Sequence, residues 1–239
     1  MKIGIVIQAR MGSSRLPGKI LLKLPFHSNM TVLENILNRA EKVNNIDNIV
    51  VATTVGEGDN IVEDFCKERN IEVFRGSEDH VLSRFYYLSK KYNFDQIIRL
   101  TADNPCIDFK LIESCLDIHL RNKNDYTETI SYPLGTNIEI VSMKSLSYAF
   151  NNTIENYDTE HVTPFVRNHP DLFQIETIEA NDSLARSDIR VTLDKEQDYV
   201  LLCQIFDYLY SGNQLFGIDE IINLFEQKPW LKNINLIID

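Results

Sequence analysis

The sequence predicts an α/β protein built on a doubly wound, mostly parallel sheet. Over the first half of the chain, apolar runs of strand length alternate with amphipathic runs of helical length, which is the pattern of a parallel sheet flanked by helices. The first run, residues 3–7, is apolar almost throughout, as expected for a strand that is buried on both faces. With 239 residues, of which 44% are hydrophobic, the chain is long enough for one sizeable α/β domain.

The first half of the chain contains regular elements with clear start signals. Thr31 and Glu34 have the spacing of a capping box, which begins a helix that reaches Ala40. Asp108 is placed to cap a later helix. Further strands are predicted at residues 48–53, 71–74 and 96–100, and further helices at residues 59–69, 78–92 and 108–121.

The regular alternation ends after Asp125, where polar segments with β propensity appear. In this half, strands are predicted at residues 136–141, 173–178 and 189–193, and helices at residues 144–150, 160–168, 196–210 and 218–226. We interpret residues 125–180 as a small α+β lobe on the substrate side, which could also pair two subunits in a homodimer. No Pro/Ser-rich linker separates this lobe, so residues 1–239 are expected to form a single domain.

The overall charge limits the classes of partner. The chain has 24 Lys and Arg against 35 Asp and Glu, and its net charge is −11. Because binding along a nucleic-acid backbone needs a basic face, we expect no nucleic-acid partner. No apolar run approaches the length of a membrane span and no signal-peptide pattern is present, so we expect a cytoplasmic protein without membrane contact. The four cysteines contain no Cys-x-x-Cys pair, which fits reduced thiols.

A loop directly after the first strand gathers three cations, Arg10, Arg15 and Lys19, together with two glycines. Cations at this density are favourable when an anion joins them, and glycines let backbone N–H groups approach that anion. Loops at the carboxyl ends of parallel strands are also where open α/β sheets bind ligands. The loop is not a Walker A motif, because five residues separate its glycines and Ile20 stands where that motif has Ser or Thr. We therefore expect a nucleoside triphosphate site; a solvated surface turn is the alternative.

Two aspartates follow predicted strands and are candidates for a metal site. Asp103 comes just after the strand at residues 96–100, and Asp194 ends the strand at residues 189–193. If both strands run parallel to the first, both carboxylates emerge at the edge of the sheet that carries the cationic loop. Carboxylates are ligands for Mg²⁺ beside a triphosphate. The alternatives are a turn before Pro105 for Asp103, and a helix N-cap with Gln197 for Asp194.

The segment QARMGSSRLPGK at residues 8–19 resembles the opening motif of the sugar-acid cytidylyltransferases of the acylneuraminate and 3-deoxy-manno-octulosonate (KDO) type, and most nearly their SpsF-type spore-coat polysaccharide branch. Four shorter blocks fit the same branch in the right order, at residues 74–79, 99–105, 160–164 and 191–194. The resemblance implies a Rossmann-like sheet of the nucleotide-diphospho-sugar transferase type. It also implies transfer of CMP from CTP to a sugar acid or related acceptor, with release of pyrophosphate, for surface polysaccharide or glycan biosynthesis.

The resemblance further implies roles for individual residues. Arg10, Arg15 and Lys19 would contact the triphosphate in catalysis, and Asp103 and Asp194 would ligate Mg²⁺ as the cofactor. The residues that would lie near the nucleotide are Ala9, Gly12, Ser13, Arg75, Gly76 and Ser77. The weaker candidates for the acceptor side are Glu139, His161 and Arg167.

Some questions stay open at this stage. Asn137 stands where the family commonly has an acidic residue, so the acceptor could be a nonulosonic acid, another keto-sugar acid or a small phosphorylated metabolite. His161 could act as a base or be a hydrogen-bonded structural residue. The rival functions are a GT-A-type glycosyltransferase that uses a nucleotide sugar and a non-catalytic nucleotide-binding subunit. The chain contains no Asp-x-Asp motif of the kind that most such glycosyltransferases carry.

Overall fold

The computed structural model describes residues 1–210 and 215–236. Its strands are β1 (Ile3–Gln8), β2 (Asn48–Thr54), β3 (Glu72–Gly76), β4 (Gln96–Thr101), β5 (Tyr126–Ile130), β6 (Glu139–Ser142) and β7 (Ile175–Glu179). They form one seven-stranded sheet in the order β3-β2-β1-β4-β6-β5-β7. β6 runs antiparallel to both of its neighbours, and the other pairings are parallel. The doubly wound, mostly parallel sheet predicted from the sequence is confirmed.

Helices cover both faces of this sheet. In the described residues they are α1 (Val32–Ala40), α2 (Asn60–Glu68), α3 (Val81–Tyr92), α4 (Phe109–Asn122), α5 (Met143–Asn152), α6 (Asn156–His161), α7 (Pro164–Arg167), α8 (Glu196–Leu209) and α9 (Ile218–Gln227). Short 3₁₀ helices cover Lys19–Leu21, Glu57–Asp59 and Pro229–Asn233. Of the helices in this part of the chain, none combines the length and the apolar character needed to cross a membrane.

The alternation of side chains along β1 divides the interior into two cores. Ile5 and Ile7 pack on one face of the sheet with α1, α2, α4, α8 and α9, whereas Val6 packs on the other face with α3, α5 and α7. All three side chains are completely buried. Because successive residues of a strand point to opposite faces, an apolar run of this length requires helices on both sides.

The register of the central strands brings their carboxyl ends together. Gln8, the last residue of β1, lies opposite Ala52 of β2 and Thr101 of β4. The loops that follow β1 and β4 therefore leave the sheet side by side. This is the crevice in which open α/β sheets bind ligands.

Several helix boundaries follow the capping signals of the sequence. The capping box of Thr31 and Glu34 is present at the start of α1, and Asp108 accepts a hydrogen bond from the backbone N–H of Lys110 at the start of α4. α3 begins later than predicted, at Val81, because the imidazole of His80 accepts the backbone N–H of Ser83 as an N-cap. β3 continues to Gly76, two residues beyond the end of the strand predicted at residues 71–74.

The helix predicted at residues 160–168 is wrong, since two shorter helices take its place. α6 ends at His161 and α7 begins at Pro164. Val162 between them has φ 74°, outside the helical region. Pro164 has no N–H to continue the hydrogen bonds of α6, but it suits the first position of a new helix.

The strand predicted at residues 189–193 is also wrong, because this segment runs beside the sheet without joining it. In the described residues it forms one isolated bridge, between Arg190 and Leu134. The N–H of Leu134 donates to the carbonyl of Ile189 at 2.8 Å, and the carbonyl of Leu134 accepts from the N–H of Val191 at 2.7 Å. The lobe predicted at residues 125–180 supplies β5, β6 and β7 to the main sheet. The single-domain prediction for residues 1–239 also covers residues 211–214 and 237–239, which lie outside the described residues.

Candidate active site

The cationic loop leaves the sheet at the end of β1 and folds back on itself. The N–H of Ala9 donates to the carbonyl of Ala52 at 3.0 Å, and the N–H of Met11 donates to Asp59 Oδ1 at 2.7 Å. Gly18 returns its N–H to the carbonyl of Met11 at 3.1 Å and has φ 72°, a conformation that favours glycine. This closed path sets the start of the 3₁₀ helix that carries Lys19.

Lys19 lies between the two predicted aspartates. Its Nζ is 2.8 Å from Asp103 Oδ2 and 3.2 Å from Asp194 Oδ1, and it donates to the carbonyl of Leu193 at 2.6 Å. Only 8% of Lys19 is exposed. The sequence separations of 84 and 175 residues show that tertiary structure alone brings these groups together.

Backbone and side-chain hydrogen bonds place Asp103 next to Asp194. The N–H of Leu193 donates to the carbonyl of Asp103 at 2.8 Å, which fixes the extended segment before Asp194 against the turn after β4. Thr101 Oγ1 donates to Asp103 Oδ1 at 2.7 Å and accepts from Asn104 Nδ2 at 2.9 Å. The turn before Pro105, which was the alternative role for Asp103, is therefore present, and Asp103 also lines the cleft.

Cations surround the carboxylate of Asp194. Arg15 lies 2.9 Å from Oδ1, and Arg190 donates to Oδ2 at 2.6 Å. Burial acts to raise the pKa of Asp194, but the hydrogen bond from Arg190 and the charges of Lys19 and Arg15 outweigh it and hold this pKa below its usual value. Asp194 is therefore an anion across the physiological pH range.

Asp198, on the first turn of α8, holds the backbone around Asp194. Its Oδ2 accepts the N–H groups of Asp194 and Lys195, each at 2.9 Å, and its carboxylate also accepts from Arg190. Asn235 donates to Asp198 Oδ1 at 2.9 Å. The N-cap alternative for Asp194 is thus wrong: Asp198 accepts the backbone donors, and both oxygens of Asp194 face cations.

These residues line a cleft of about 320 Å³ at the carboxyl ends of β1 and β4. The sequence-predicted residues in its wall are Arg10, Gly12, Ser13, Arg15, Lys19, Asp103, His161 and Asp194. Arg10 also lies 3.9 Å from Glu78, a loose pair at the surface. The cationic groups of the loop and the carboxylates of the two aspartates therefore face the same cleft.

A second cavity of about 400 Å³ adjoins the first, because Arg99 and Thr101 line both. Glu139 and Arg167 lie in its wall. Arg167 Nη1 is 3.9 Å from Glu128, whose pKa is raised by burial. The two cavities therefore lie side by side and share part of their walls.

The carboxylate pair also fits a magnesium ion. In the part of the chain that the structure describes, no three His, Cys, Asp or Glu side chains form a closed metal cluster. Asp103 Oδ2 and Asp194 Oδ1, however, converge on one cation, the Lys19 ammonium. Mg²⁺ commonly uses one or two carboxylates and completes its shell with water and phosphate oxygens, so this donor set is of the right kind.

Similarity to known proteins identifies the family of this chain. A family model described as cytidylyltransferase matches residues 4–233. The chain belongs to the cytidylyltransferase family. It is 37% identical over 226 residues to the spore coat polysaccharide biosynthesis protein SpsF of Bacillus subtilis, covering 94% of each chain.

Solved structures of the family have the same fold. A cytidylyltransferase from Leptospira borgpetersenii is 32% identical, with a TM-score of 0.90, over 100% of this chain and 99% of that one. A CMP:2-keto-3-deoxy-manno-octonic acid synthetase solved with CTP has a TM-score of 0.66 at 18% identity, covering 87% and 99% of the two chains, which shows the fold. The sugar-acid cytidylyltransferase resemblance read from the sequence is confirmed at the level of the family.

Not every predicted nucleotide residue reaches the cleft of this cytidylyltransferase. The Arg75 guanidinium instead donates to the carbonyls of Thr54 and Gly56 and to the side chains of Asn60 and Glu63. A nucleotide contact by Arg75 would require these bonds to break. Ala9, Gly76 and Ser77 likewise lie outside the residues that line the cleft.

Glu139 accepts hydrogen bonds inside the protein through both of its carboxylate oxygens. Its carboxylate pairs with Arg99 and accepts from Tyr126 Oη at 2.8 Å and from Thr163 Oγ1 at 2.9 Å. Burial acts to raise the pKa of Glu139, but these partners, above all the Arg99 charge, hold it below the usual value. In this arrangement Glu139 lines the second cavity as the buried partner of Arg99, and its contact with an acceptor stays a prediction.

Sequence reasoning missed several residues of the site. Arg190 and Asp198, which hold Asp194, and Arg99, which lies between the cavities, were not singled out. Arg190 and Asp198 each lie four residues from Asp194, a spacing at which one side chain can reach another across a turn, so the sequence contained a signal for both. Arg99 gives none, since an arginine within an apolar strand is as easily a surface residue.

Proposed function

We propose that the protein transfers CMP from CTP to a sugar acid or related acceptor, with release of pyrophosphate, in the biosynthesis of surface polysaccharide or another glycan. The observation that carries this proposal is the convergence of Lys19 and Arg15 on Asp103 and Asp194 in one cleft beside a second cavity. The family match supports nucleotidyl transfer, and the likeness to SpsF supports the polysaccharide context.

In the proposed reaction, the triphosphate of CTP lies along the loop after β1. Arg10, Arg15 and Lys19 bind its oxygens and stabilise the charge that grows on the leaving pyrophosphate. The loop provides a local positive region in a chain with a net charge of −11, so it draws the anionic nucleotide against the overall field.

Asp103 and Asp194 would hold Mg²⁺. When bound there, the ion would supply positive charge to orient the α-phosphate and favour loss of the proton from an acceptor hydroxyl. Arg190 and Asp198 keep the carboxylate of Asp194 in place for this role. The protein thus contributes placement and fixed charge rather than a dedicated base.

The acceptor would lie in the cavity that Arg99 and Thr101 share with the nucleotide cleft. Its oxygen attacks the α-phosphorus, the bond from that phosphorus to the β-phosphate oxygen breaks, and pyrophosphate leaves. Arg167, 42% exposed and only loosely paired with Glu128, is the available cation for a negative group on the acceptor.

The decisive experiment measures pyrophosphate release with each of the four ribonucleoside triphosphates, in the presence of Mg²⁺, against a panel of sugar acids and phosphorylated acceptors. We expect release with CTP and an acid acceptor, and formation of the matching CMP adduct. Release of a nucleoside diphosphate from a nucleotide sugar would replace this proposal with a glycosyltransferase. CTP binding without turnover across the panel would favour a non-catalytic subunit.

A further inference from the structure

The ammonium group of Lys19 is fully engaged inside the cleft. Its three hydrogen-bond partners are Asp103 Oδ2 at 2.8 Å, Asp194 Oδ1 at 3.2 Å and the carbonyl of Leu193 at 2.6 Å. An ammonium group has three N–H donors, so these partners use all of them. A Lys19 that remains in this position cannot also donate to a phosphate group.

The proposed function requires two contacts that this arrangement of side chains does not allow at the same time. It needs Lys19 on the triphosphate, and it needs Asp103 and Asp194 on a divalent cation, whereas here the three side chains satisfy one another. We infer that Lys19 occupies the cation position in the free protein, and that a nucleotide must draw Lys19 onto its phosphates before the two aspartates can bind a divalent metal. This inference rests on the proposed nucleotide site.

The surroundings indicate which partner moves. Asp194 is fixed by Arg190 through its second oxygen and by the hydrogen bonds of Asp198 to the adjacent backbone. Lys19 instead has a flexible four-carbon stem and three rotatable donors. We therefore expect the lysine to swing away while the carboxylates remain where they are.

Electrostatics disfavours a divalent ion at this position while the Lys19 ammonium occupies it. A divalent ion placed beside the Lys19 ammonium would be repelled at short range in a partly buried site, where screening by water is weak. Once phosphate oxygens accept the ammonium, Asp103 and Asp194 lose the cation that lies between them, and a divalent metal can take its place. Nucleotide and metal should thus raise each other's affinity, and the coupling must be reciprocal.

The first test measures Mn²⁺ binding to the free protein, without nucleotide or acceptor, by electron paramagnetic resonance of the unbound ion. Wild-type protein should bind Mn²⁺ weakly, whereas Lys19→Met, which keeps a long side chain without the charge, should bind it at least about tenfold more tightly. Lys23→Met is the matched control, because Lys23 is an exposed lysine four residues further along the chain whose ammonium donates to Asn29 Oδ1 at 3.4 Å. Equal Mn²⁺ affinity in wild type and Lys19→Met would overturn the inference.

A double variant locates the new site. Adding Asp103→Asn to Lys19→Met should abolish the gained Mn²⁺ binding, because the pair of converging carboxylates is then incomplete. Retention of tight binding by the double variant would place the metal elsewhere and refute the exchange.

The second test uses the reciprocal measurement and does not depend on Lys19→Met folding. Asp103→Asn releases Lys19 from one carboxylate, so metal-free CTP, titrated calorimetrically in EDTA, should bind several-fold more tightly than to wild type. Glu160→Gln removes the same charge from the wall of the same cleft and controls for the general loss of negative charge. An equal gain in both variants would contradict a specific role for the Lys19–Asp103 pair.

These measurements separate the inference from the proposed function. Mn²⁺ binding and metal-free CTP binding require no turnover, so they report on the exchange whichever acceptor is used. If CTP does not bind at all, the proposed function fails; if CTP binds and releases pyrophosphate but wild-type and Lys19→Met proteins bind Mn²⁺ alike, only the exchange fails.

Discussion

Lys19 shows how one side chain links the stability of the site to its chemistry. It is nearly buried, and its ammonium neutralises two carboxylates that would otherwise repel each other. The sequence analysis treated Lys19 only as a phosphate ligand. The structure adds a role in the free protein, so its removal has two separate consequences.

We expect Lys19→Ala to lower turnover on the order of a hundredfold or more, as the loss of a preorganised charge contact does. We also expect a loss of about 1–3 kcal/mol in the free energy of unfolding, because Asp103 and Asp194 lose a charged donor. Steady-state pyrophosphate release and urea denaturation measure the two effects, with Lys23→Ala as the control. Wild-type turnover in Lys19→Ala would remove the loop from the mechanism.

Arg190 is a positioning residue in this scheme, acting through Asp194. Arg190→Gln removes the contact that holds Asp194 Oδ2, so we expect the Mg²⁺ concentration for half-maximal activity to rise about tenfold, as when groups that orient metal ligands are lost. Arg190→Lys should restore part of this affinity.

The control for Arg190 is Arg186→Gln, since Arg186 pairs with Asp188 and Glu226 away from the cleft. The measurement is a Mg²⁺ titration at saturating CTP, together with thermal unfolding of each variant. Reduced stability in Arg190→Gln with an unchanged Mg²⁺ titration would show that Arg190 is only structural.

At the scale of elements, the regular part of the chain was predictable and the irregular part was not. The strand–helix alternation, the capping box at Thr31 and the cap at Asp108 depend on local pattern, and each is confirmed. The segment at residues 189–193 looked like a strand because it is apolar and β-branched. Its neighbour is the loop at Leu134 rather than a sheet edge, and such a partner leaves no local trace in the sequence.

That loop approaches the segment before Asp194 at Gly135. A Cβ on Gly135 would lie 2.7 Å from the backbone nitrogen of Thr192, and Gly135 has φ 103°. Gly135→Ala should therefore push the two segments apart, lower the free energy of unfolding by about 1–3 kcal/mol and reduce turnover by displacing Asp194.

Gly58→Ala provides the comparison for Gly135, because a Cβ on Gly58 would meet no heavy atom within 4 Å. We expect Gly58→Ala to stay close to wild type in both chemical denaturation and pyrophosphate release. Equal stability of the two alanine variants would show that the contact between the Gly135 loop and Thr192 does not hold the site together.

At the scale of the whole molecule, both faces of the sheet are covered and buried polar groups link its layers. His119 of α4 is completely buried, with Nδ1 2.8 Å from Thr127 Oγ1 of β5 and Nε2 2.9 Å from Gln96 Oε1 of β4. Burial lowers the pKa of His119 to about 4. The folded protein therefore keeps this imidazole neutral where an unfolded chain would protonate it.

Stability should consequently fall as the pH drops. The stabilisation linked to His119 is complete above the unfolded pKa of about 6.5 and is lost progressively towards the folded pKa of about 4. Between pH 7.5 and 5 we expect His119 to account for a loss of about 2 kcal/mol in the free energy of unfolding. Urea denaturation of wild type and His119→Gln over this range measures it, and the variant should show a shallower pH dependence. An identical dependence in both proteins would exclude His119 as the cause.

The lobe at residues 125–180 is part of the architecture of the whole molecule. It supplies β5 and β7 at one end of the sheet and part of the wall of the second cavity. The prediction that it pairs two subunits stays a prediction, and sedimentation velocity would test it. It lies beside the candidate cleft, and its substrate-side role likewise stays a prediction.

The sequence by itself determined the mostly parallel sheet, the cationic loop after β1 and the membership of the cytidylyltransferase family, because each rests on local pattern or on motifs contiguous along the chain. Only the tertiary structure decided that Lys19 lies between Asp103 and Asp194, and that Arg190 and Asp198 hold the second of these. The physical reason is that charge pairing depends on distances of about 3 Å between side chains, and in this fold the partners of Lys19 lie 84 and 175 residues away.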